Sequence, residues 1–357
     1  MLHQPDTMKD PDTLVGVVLN GAHGIYDVHT DQGIIRCTLR GKLKKAFAAS
    51  RSTKSNPYGP KIKTKREIDG SYSVHQRQQK NTPPQNSNET AAPIRLSIGD
   101  YVKIRPIDAQ TGAIEEILPR RSALSRKDVG STTNKQIEHT LLANLDQVVL
   151  VFATTHPNPH FGLLDRYLMI CESAELQVLI CLNKLDLPHE SDVEDAAARY
   201  RKIGYRVMFT STQTSVGIDE LRTALQEHTS LFTGPSGVGK SSLVNEIEPG
   251  MAIRTGLVSD QTGKGKHTTT GSQLYPLSNG GWLADSAGIR ALAAWNIPPE
   301  EMAQGFIEFR PFLGECEYSD CLHVDEEGCA IQQAVEEEKI DERRYNSYVR
   351  IVTEEER

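Results

Sequence analysis

The sequence predicts a multi-domain protein: an N-terminal β-barrel, a central α/β nucleotide-binding domain and a mostly helical metal-binding domain. Three observations predict it. Residues 234–241 read G-P-S-G-V-G-K-S, the pattern of a phosphate-binding loop. Residues 183–186 read N-K-L-D, which matches the N-K-x-D motif that selects guanine. Three cysteines and one histidine cluster within residues 316–329. A chain of 357 residues is long enough for two or three such domains.

The phosphate-binding loop has a clear mechanism. Its glycines permit a turn whose backbone N–H groups point at phosphate oxygens, and the following helix directs its positive dipole end at the same anion. Lys240 can reach the β- and γ-phosphates, and the Ser241 hydroxyl can ligate Mg²⁺. The predicted phosphate-binding residues are Gly234, Pro235, Ser236, Gly237, Val238, Gly239, Lys240, Ser241 and Ser242.

The guanine motif ends an apolar run over residues 176–182 that is typical of a buried parallel strand. The Asn183 amide can bond the guanine edge, and the Asp186 carboxylate can accept from the ring N–H and the exocyclic amine. Alone, N-K-L-D is often a surface turn, but the phosphate-binding loop favours the functional interpretation. A second short strand ends near residues 209–212, where GTPases carry a loop that packs on guanine. The predicted guanine-binding residues are Asn183, Lys184, Leu185, Asp186, Ser211 and Thr212.

Two segments after the phosphate-binding loop complete the pattern of a GTPase. Residues 285–288, D-S-A-G, resemble the D-x-x-G motif, in which the aspartate reaches Mg²⁺ through water and the glycine senses the γ-phosphate. Residues 263–270 form a polar loop whose threonines can complete the Mg²⁺ shell. We therefore expect Ser241, Thr269 and Asp285 to hold Mg²⁺, and Gly288 to contact the γ-phosphate.

The order of these motifs is rotated. Small GTPases begin with the phosphate-binding loop and end with N-K-x-D and the guanine-packing loop, whereas here the last two come first. No motif is duplicated, so a circular permutation is the simplest account. Permutation is tolerated where termini lie close together in exposed loops. The sequence thus predicts a circularly permuted P-loop GTPase domain.

The cysteine cluster predicts a closed structural zinc site, because three thiolates and one imidazole fill all four tetrahedral positions. The alternatives are a chance cluster or disulfides. An odd number of local thiols and the lack of a secretory signal favour a reducing compartment and a metal. The predicted ligands of one Zn²⁺ per chain are Cys316, Cys321, His323 and Cys329. Cys37, Cys171 and Cys181 stand in apolar contexts, and we expect them in the core.

Five short strand-like runs near the N-terminus suit an OB barrel, a fold that often binds single-stranded nucleic acid but does not establish that function. These runs are residues 15–19, 24–28, 34–39, 98–104 and 112–117. Between Arg36 and Arg66 the chain carries eleven Lys and Arg residues and no acid, which suits either phosphate backbones or a solvated loop.

The domain boundaries follow from these assignments. We expect a flexible N-terminus over residues 1–11, an OB-fold over 12–119 with a disordered basic insertion at about 50–92, the GTPase domain over 120–289, and the zinc-binding domain over 290–357. The final residues, 335–357, alternate in charge and suggest a solvated helix. The net charge of −7 disfavours a general nucleic-acid binder. No apolar run reaches the roughly 18 residues needed to cross a membrane, so we expect a cytoplasmic protein without a membrane partner.

The combined motifs resemble the RsgA (YjeQ) family of circularly permuted GTPases. The match rests on residues 183–186, 234–241, H-T-T-T at 267–270 and C-x₄-C-x-H-x₅-C, and it spans roughly residues 12–350. The resemblance implies a GTP-hydrolysing ribosome biogenesis factor that binds the small ribosomal subunit and its rRNA late in assembly, with hydrolysis stimulated by the subunit. We expect a monomer that binds GTP and GDP. D-S-A-G departs from the usual D-T-P-G, which predicts altered switch dynamics and retained activity.

The resemblance also indicates a catalytic residue. Many small GTPases place a glutamine after D-x-x-G to orient the attacking water, but Ile289 occupies that position and cannot hydrogen-bond water. His267 is the predicted substitute, since an imidazole can orient or deprotonate water at neutral pH. Without the resemblance, a bystander histidine is favoured. The alternative function is a GTP-dependent regulator of another RNA or protein, outside ribosome assembly; the permutation and the zinc spacing favour the first function.

Overall fold

Five strands near the N-terminus close into an OB-like barrel. In the computed structural model, which describes residues 13–41, 43–44, 95–127, 138–251, 273–284 and 297–355, the strands are β1 (Leu14–Ala22), β2 (Ile25–Thr30), β3 (Gly33–Leu39), β4 (Tyr101–Pro106) and β5 (Thr111–Ile117). Their order around the barrel is β1-β2-β3-β5-β4, and β1 pairs with β4 to close it. The five-stranded barrel predicted from the sequence is confirmed.

The barrel interior follows the period of two that strands impose on their side chains. On β3, Ile35 and Cys37 are buried, while Arg36 between them and Thr38 after them are exposed. The buried set that fills the barrel consists of Val18, Val28, Ile35, Cys37, Val102, Ile104 and Ile114. Cys37 is therefore a core residue, as expected.

An antiparallel hairpin, which the sequence analysis did not anticipate, follows the barrel. It pairs β6 (Ala123–Lys127) with β7 (Glu138–Ala143). Arg120 ties the hairpin to the barrel, because its guanidinium donates to both carboxylate oxygens of buried Asp100, at 2.7 and 2.8 Å, and to the Thr140 hydroxyl at 2.8 Å. The two units are thus joined by a charge-assisted bidentate contact.

The central domain is built on a six-stranded sheet with the order β10-β9-β8-β11-β13-β12. Its strands are β8 (Gln147–Ala153), β9 (Gln177–Asn183), β10 (Arg206–Thr210), β11 (Thr229–Thr233), β12 (Leu274–Pro276) and β13 (Trp282–Ala284). Neighbours are parallel except β12 and β13, which are antiparallel. The parallel strand expected over 176–182 is thereby confirmed.

Helices cover both faces of this sheet, which explains why its inner strands are almost continuously apolar. They are α1 (Phe161–Ser173), α2 (Asp192–Ile203), α3 (Ile218–Ala224) and α4 (Lys240–Ile247). Leu150 and Phe152 of β8 join the same cluster as α1 and α2, whereas Val149 and Val151 join the cluster of α3 and α4. Cys171 and Cys181 are fully buried here, as expected for core residues.

Each edge strand of the sheet has one feature that limits its backbone hydrogen bonding to a further strand. At one edge, β12 is three residues long and ends in Pro276, which has no backbone N–H to donate. At the other edge, Arg201 of α2 donates from its guanidinium to the Val207 carbonyl of β10 at 2.9 Å, and it lies 5.5 Å above the Phe209 ring.

The barrel lies against the β12–β13 hairpin. His29 of β2 and Trp282 of β13 make an edge-to-face contact, with ring centroids 5.1 Å apart and planes inclined by 81°. Such contacts suit the quadrupole of aromatic rings. The barrel thus touches the strand that leads directly into residues 285–288.

The C-terminal module is mostly helical, as expected. It contains α5 (Pro299–Met302), 3₁₀ turns over Ala303–Gly305 and Arg310–Phe312, α6 (Ala330–Glu336) and α7 (Glu342–Glu355). In the described ranges, no helix is both long and apolar enough to cross a membrane.

The expectation of one solvated helix over 335–357 is wrong. Helix α6 ends at Glu336, and α7 begins at Glu342. One face of α7 is buried, with Arg344, Tyr348, Ile351 and Val352 exposed by 5% or less. These positions follow the i, i+4, i+7, i+8 spacing of an amphipathic helix, and charged neighbours obscured it in the sequence.

Candidate nucleotide site and metal centre

The predicted nucleotide-binding loops meet at one edge of the central sheet. Strands β9, β10 and β11 are mutually aligned through parallel pairing with β8 or with one another, so their carboxyl ends point the same way. Residues 183–186 begin at the last residue of β9, and residues 211–212 and 234–242 follow β10 and β11. Open α/β sheets bind ligands in this position. Most of the predicted phosphate- and guanine-binding residues therefore share one edge, although the motifs are rotated in sequence.

The phosphate-binding loop runs directly from β11 into α4. Helix α4 begins at Lys240, whose ammonium turns back and donates to the carbonyls of Gly234 at 2.8 Å and Pro235 at 2.6 Å. The amino end of α4 and the lysine therefore face the concave side of the same loop, which is the arrangement that favours an anion.

Asn183 joins the guanine motif to the phosphate-binding loop. Its amide nitrogen donates to the Val238 carbonyl at 2.9 Å, and its amide oxygen accepts from the Thr210 hydroxyl at 3.1 Å. A Cβ atom on Gly239 would lie 2.4 Å from that amide nitrogen, so only glycine fits there. Because an amide –NH₂ group carries two donors, Asn183 has a second N–H with which to serve a base. These contacts do not involve a base, so the role of Asn183 in guanine binding stays a prediction.

Lys184 connects the phosphate-binding loop to a third loop. Its ammonium donates to the Gly237 carbonyl at 2.7 Å and to the His156 carbonyl. The Thr154 hydroxyl donates to the Lys184 carbonyl at 3.0 Å. Residues 154–160, which follow β8, therefore belong to the site although the sequence analysis did not include them. Its position could have identified it, since this loop follows the carboxyl end of the central strand β8.

Asp186 is oriented by the loop after β10. The Ser211 hydroxyl donates to one Asp186 carboxylate oxygen at 2.5 Å, and it accepts from the backbone N–H groups of Gln213 and Thr214 at 3.1 and 3.2 Å. Leu185 donates its N–H to the Thr210 carbonyl at 3.1 Å. The two predicted guanine loops thus hold each other, and Thr212 lies in the second of them. This geometry suits a carboxylate that must present one fixed edge to a base.

The remaining predicted residues of this site lie outside the described ranges. These are the catalytic His267, the Mg²⁺ ligands Thr269 and Asp285, and the γ-phosphate contact Gly288. Strand β13 ends at Ala284, and it pairs in parallel with β11, placing Ala284 opposite Leu231. The chain therefore reaches D-x-x-G from a strand adjacent to the one that carries the phosphate-binding loop. The assignments to these four residues stay predictions.

Replacing Asp186 with asparagine should shift base selection from guanine to xanthine, because an amide would replace the carboxylate that is predicted to accept from the ring N–H and the exocyclic amine. Loss of a charge-assisted hydrogen bond costs about 1.5–3 kcal/mol, or one to two decades in GTP affinity. Equilibrium titration with fluorescent GDP and xanthosine diphosphate measures the shift. Asp195→Asn changes an exposed carboxylate on α2 and serves as the control. Unchanged GTP affinity in Asp186→Asn would remove the assignment.

The predicted zinc ligands come together. The four ligand atoms of Cys316, Cys321, His323 and Cys329 all lie within 4.8 Å of one another. The Nδ1 atom of His323 is 3.4 Å from the Cys316 sulfur and 3.5 Å from the Cys329 sulfur. A tetrahedral Zn²⁺ with its usual bond lengths separates nitrogen and sulfur ligands by roughly 3.5 Å. The cluster could therefore hold one zinc ion, with Nδ1 as the imidazole ligand.

Electrostatics of the cluster mean that metal binding would have to displace protons from its thiols. Burial, together with the neighbouring Cys329 and Cys316 thiols, raises the pKa of the Cys321 thiol to about 12. Three thiolates this close repel one another, so a divalent metal is needed to hold them all deprotonated. The Ala330 N–H donates to the Cys316 sulfur at 3.4 Å, which favours negative charge on that sulfur.

The loop that carries the ligands is held in place from two sides. The Glu326 carboxylate accepts from the N–H groups of Leu322 at 2.7 Å and Val324 at 2.8 Å. Desolvation opposes charge on Glu326, but these backbone donors outweigh it and lower its pKa. From α7, the Tyr345 hydroxyl donates to the His323 carbonyl at 3.0 Å, and the Tyr348 hydroxyl donates to the Leu322 carbonyl at 2.6 Å. Such outer hydrogen bonds orient metal ligands.

The fold and the site define a P-loop GTPase with circularly permuted motifs, preceded by an OB-like barrel and followed by a module with a potential zinc site. The family model described as RsgA GTPase matches residues 117–295. A relative from Gemmatimonas aurantiaca, named small ribosomal subunit biogenesis GTPase RsgA, is 37% identical over 339 residues, which cover 94% of this chain and 95% of that protein. The chain belongs to the RsgA GTPase family.

Further similarities agree with this assignment. A relative of the same name from Sodalis glossinidius is 46% identical over 265 residues, which cover 72% of this chain and 75% of that protein. The crystal structure of YjeQ from Thermotoga maritima is similar with a TM-score of 0.67 and 28% identity, covering 96% of this chain and 98% of that one. YloQ, described as a circularly permuted GTPase, has a TM-score of 0.65 and 25% identity, covering 98% of each chain.

Proposed function

We propose that this GTPase is a biogenesis factor of the small ribosomal subunit, which binds the subunit with GTP and leaves after hydrolysis. The observation that carries the proposal is the hydrogen bond from Asn183 to the Val238 carbonyl. It joins the guanine motif to the phosphate-binding loop in a permuted chain whose relatives are named for this function. The same contact makes base recognition and phosphate binding parts of one rigid site.

The residues of this chain then divide the work of hydrolysis. Asp186, oriented by Ser211, selects guanine, and the phosphate-binding loop with Lys240 holds the β- and γ-phosphates. Ser241, Thr269 and Asp285 would hold Mg²⁺, which would neutralise charge at the phosphates. His267 orients the attacking water once docking on the subunit has positioned it, and Gly288 contacts the γ-phosphate. Ile289 offers no hydrogen bond to water, so hydrolysis without the subunit is slow.

The flanking modules make the contacts with the subunit. An OB-like barrel over 12–119 and the module over 290–357, with one structural zinc ion, grip rRNA on either side of the GTPase domain over 120–289. The barrel touches Trp282, three residues before Asp285, so the nucleotide state can reach it through the β12–β13 hairpin. The protein works as a cytoplasmic monomer. This arrangement makes affinity for the subunit depend on the nucleotide.

Co-sedimentation with purified small subunits tests the proposal. We expect roughly tenfold more protein to pellet with a non-hydrolysable GTP analogue than with GDP, a typical coupling between two sites. Large subunits serve as the control and should retain little protein. GTP hydrolysis should rise when small subunits are added. Equal and weak retention in both nucleotides, with no rise in hydrolysis, would favour a GTP-dependent regulator outside ribosome assembly.

A further inference from the structure

A buried charged cluster fastens the C-terminal module to the GTPase domain. Arg344 of α7 is 1% exposed, and its guanidinium donates to Asp165 of α1 at 2.6 Å. The same guanidinium donates to both carboxylate oxygens of Glu308, at 2.6 and 3.2 Å. One cation therefore joins a carboxylate of the GTPase domain to a carboxylate of the C-terminal module.

The surroundings of Arg344 fix its geometry. The Tyr200 hydroxyl of α2 donates to Asp165 at 2.7 Å, and the Phe306 ring lies 4.4 Å from the guanidinium carbon. Burial opposes the charge of Arg344, but Asp165 and Glu308 outweigh it and raise its pKa. Loss of one member would leave a buried charge uncompensated, so the cluster tolerates one arrangement of the two units.

Helix α1 connects Asp165 to the loop that lies against the proposed nucleotide site. Asp165 lies about one turn after the start of α1 at Phe161. The preceding loop, 154–160, reaches the phosphate-binding loop, because the His156 carbonyl accepts from Lys184, which also binds the Gly237 carbonyl. A Cβ atom on Gly237 would lie 3.7 Å from the ring of Pro157. Displacement of α1 would therefore move atoms that line the phosphate site.

Helix α7 connects Arg344 to the loop that bears the candidate metal ligands. Tyr345 and Tyr348 follow Arg344 on α7, and their hydroxyls donate to carbonyls of the ligand loop, at His323 and Leu322. Metal ligands, α7, Arg344, Asp165, α1 and the loop over 154–160 thus form a continuous series of hydrogen-bonded contacts. Coupling between distant sites needs such a physical connection, and a thermodynamic cycle is needed to demonstrate it.

We propose that Arg344 is a positioning residue for the nucleotide, and that through it the metal centre strengthens nucleotide binding. The metal-binding module then has a second role besides gripping a partner, since its docking holds α1 and the loop over 154–160 against the phosphate-binding loop. This inference rests on the nucleotide site proposed above, which the experiment below tests separately.

Binding of a fluorescent GDP analogue to the full chain tests the inference. In R344M, which removes the charge and keeps an unbranched apolar side chain, we expect roughly tenfold weaker binding and faster dissociation, a typical size for coupling. D165N leaves Arg344 paired with Glu308 and should weaken binding less, with its zinc content retained. R310M is the matched control in the same interface. This variant removes the ion pair between Arg310 and Glu172, in which the Arg310 side chain is 43% exposed. Its affinity for the GDP analogue should stay within twofold of that of the wild type.

Zinc removal completes a thermodynamic cycle. Chelation in the wild-type chain should weaken GDP binding about tenfold, and chelation in R344M should add little, because both changes break the same connection. Metal analysis of each variant reports whether the module remains loaded. The inference is overturned if zinc-loaded D165N and R344M bind GDP as wild type does, or if the two effects multiply. Failure of the wild-type chain to bind GDP would instead overturn the proposed nucleotide site.

Discussion

Removing the metal from the full chain should unfold the C-terminal module over residues 297–355 while the central domain stays folded. The four candidate ligands lie in loops, with Cys329 directly before α6, and the module has only a small apolar core that includes Phe306, Phe309 and the buried face of α7. Zinc binding to comparable sites is worth roughly 10–16 kcal/mol, far more than the stability of a small module. Limited proteolysis before and after chelation, with mass spectrometry of the fragments, measures the change.

Cys329→Ala should reproduce this effect in the presence of zinc. Cys171→Ala removes a buried thiol outside the cluster, and it should keep the metal at a packing cost of about 1 kcal/mol. If the four side chains fill all four positions of the metal, as proposed, the ion has no open position for the nucleotide or its water. The loss of zinc should therefore leave nucleotide binding weakened but present. Freshly purified protein without zinc, or a module that stays protected after chelation, would contradict the assignment.

Gly234→Ala should abolish nucleotide binding and lower the free energy of unfolding by roughly 2–6 kcal/mol. Gly234 has a φ of +141°, and a Cβ atom there would lie 2.0 Å from the Val151 carbonyl oxygen of the central strand β8. A strained backbone costs about 1–3 kcal/mol, and overpacking costs a similar amount. The loop would have to leave β8, and its N–H groups would no longer converge on a phosphate.

A second glycine, Gly204, separates the effect of backbone strain from the effect of a steric clash. Gly204 has a φ of +118° at the end of α2, but a Cβ atom there would meet nothing within 4 Å. Gly204→Ala should therefore cost only about 1 kcal/mol and leave GDP affinity unchanged. Urea unfolding and GDP titration of both variants make the comparison. Equal destabilisation by the two changes would show that the contact with Val151 is unimportant.

Local chemistry explains what could be predicted from the sequence. Each motif has a fixed spacing within a short segment, so residues 183–186, 234–241 and 316–329 were identified without knowledge of the fold. Strands of the barrel were predicted because short strand-like runs such as residues 34–39, with Gly or Asp turns between them, are a local pattern. The parallel strand over Gln177–Asn183 was recognisable from its continuous apolar run.

Contacts between distant segments could not be predicted. Arg344 and Asp165 are 179 positions apart, and nothing near either residue indicates the other. Arg344 follows two charged residues at the start of α7, so its sequence context suggests solvent although it is buried. The loop over 154–160 carries no motif, because it contributes backbone carbonyls such as that of His156, which any residue possesses. The Arg344–Asp165 contact, the burial of Arg344 and the role of the loop over 154–160 all depend on tertiary packing.

The two modified edges of the central sheet have a consequence for solubility. An exposed edge strand is a template for pairing with another chain, and it promotes aggregation. Pro276 removes a donor from the short β12, and the Arg201 guanidinium occupies the Val207 carbonyl on β10. Both edges of this strongly apolar, mostly parallel sheet are thus poor templates, and Arg201→Ala should increase aggregation of the folded protein more than it alters its stability.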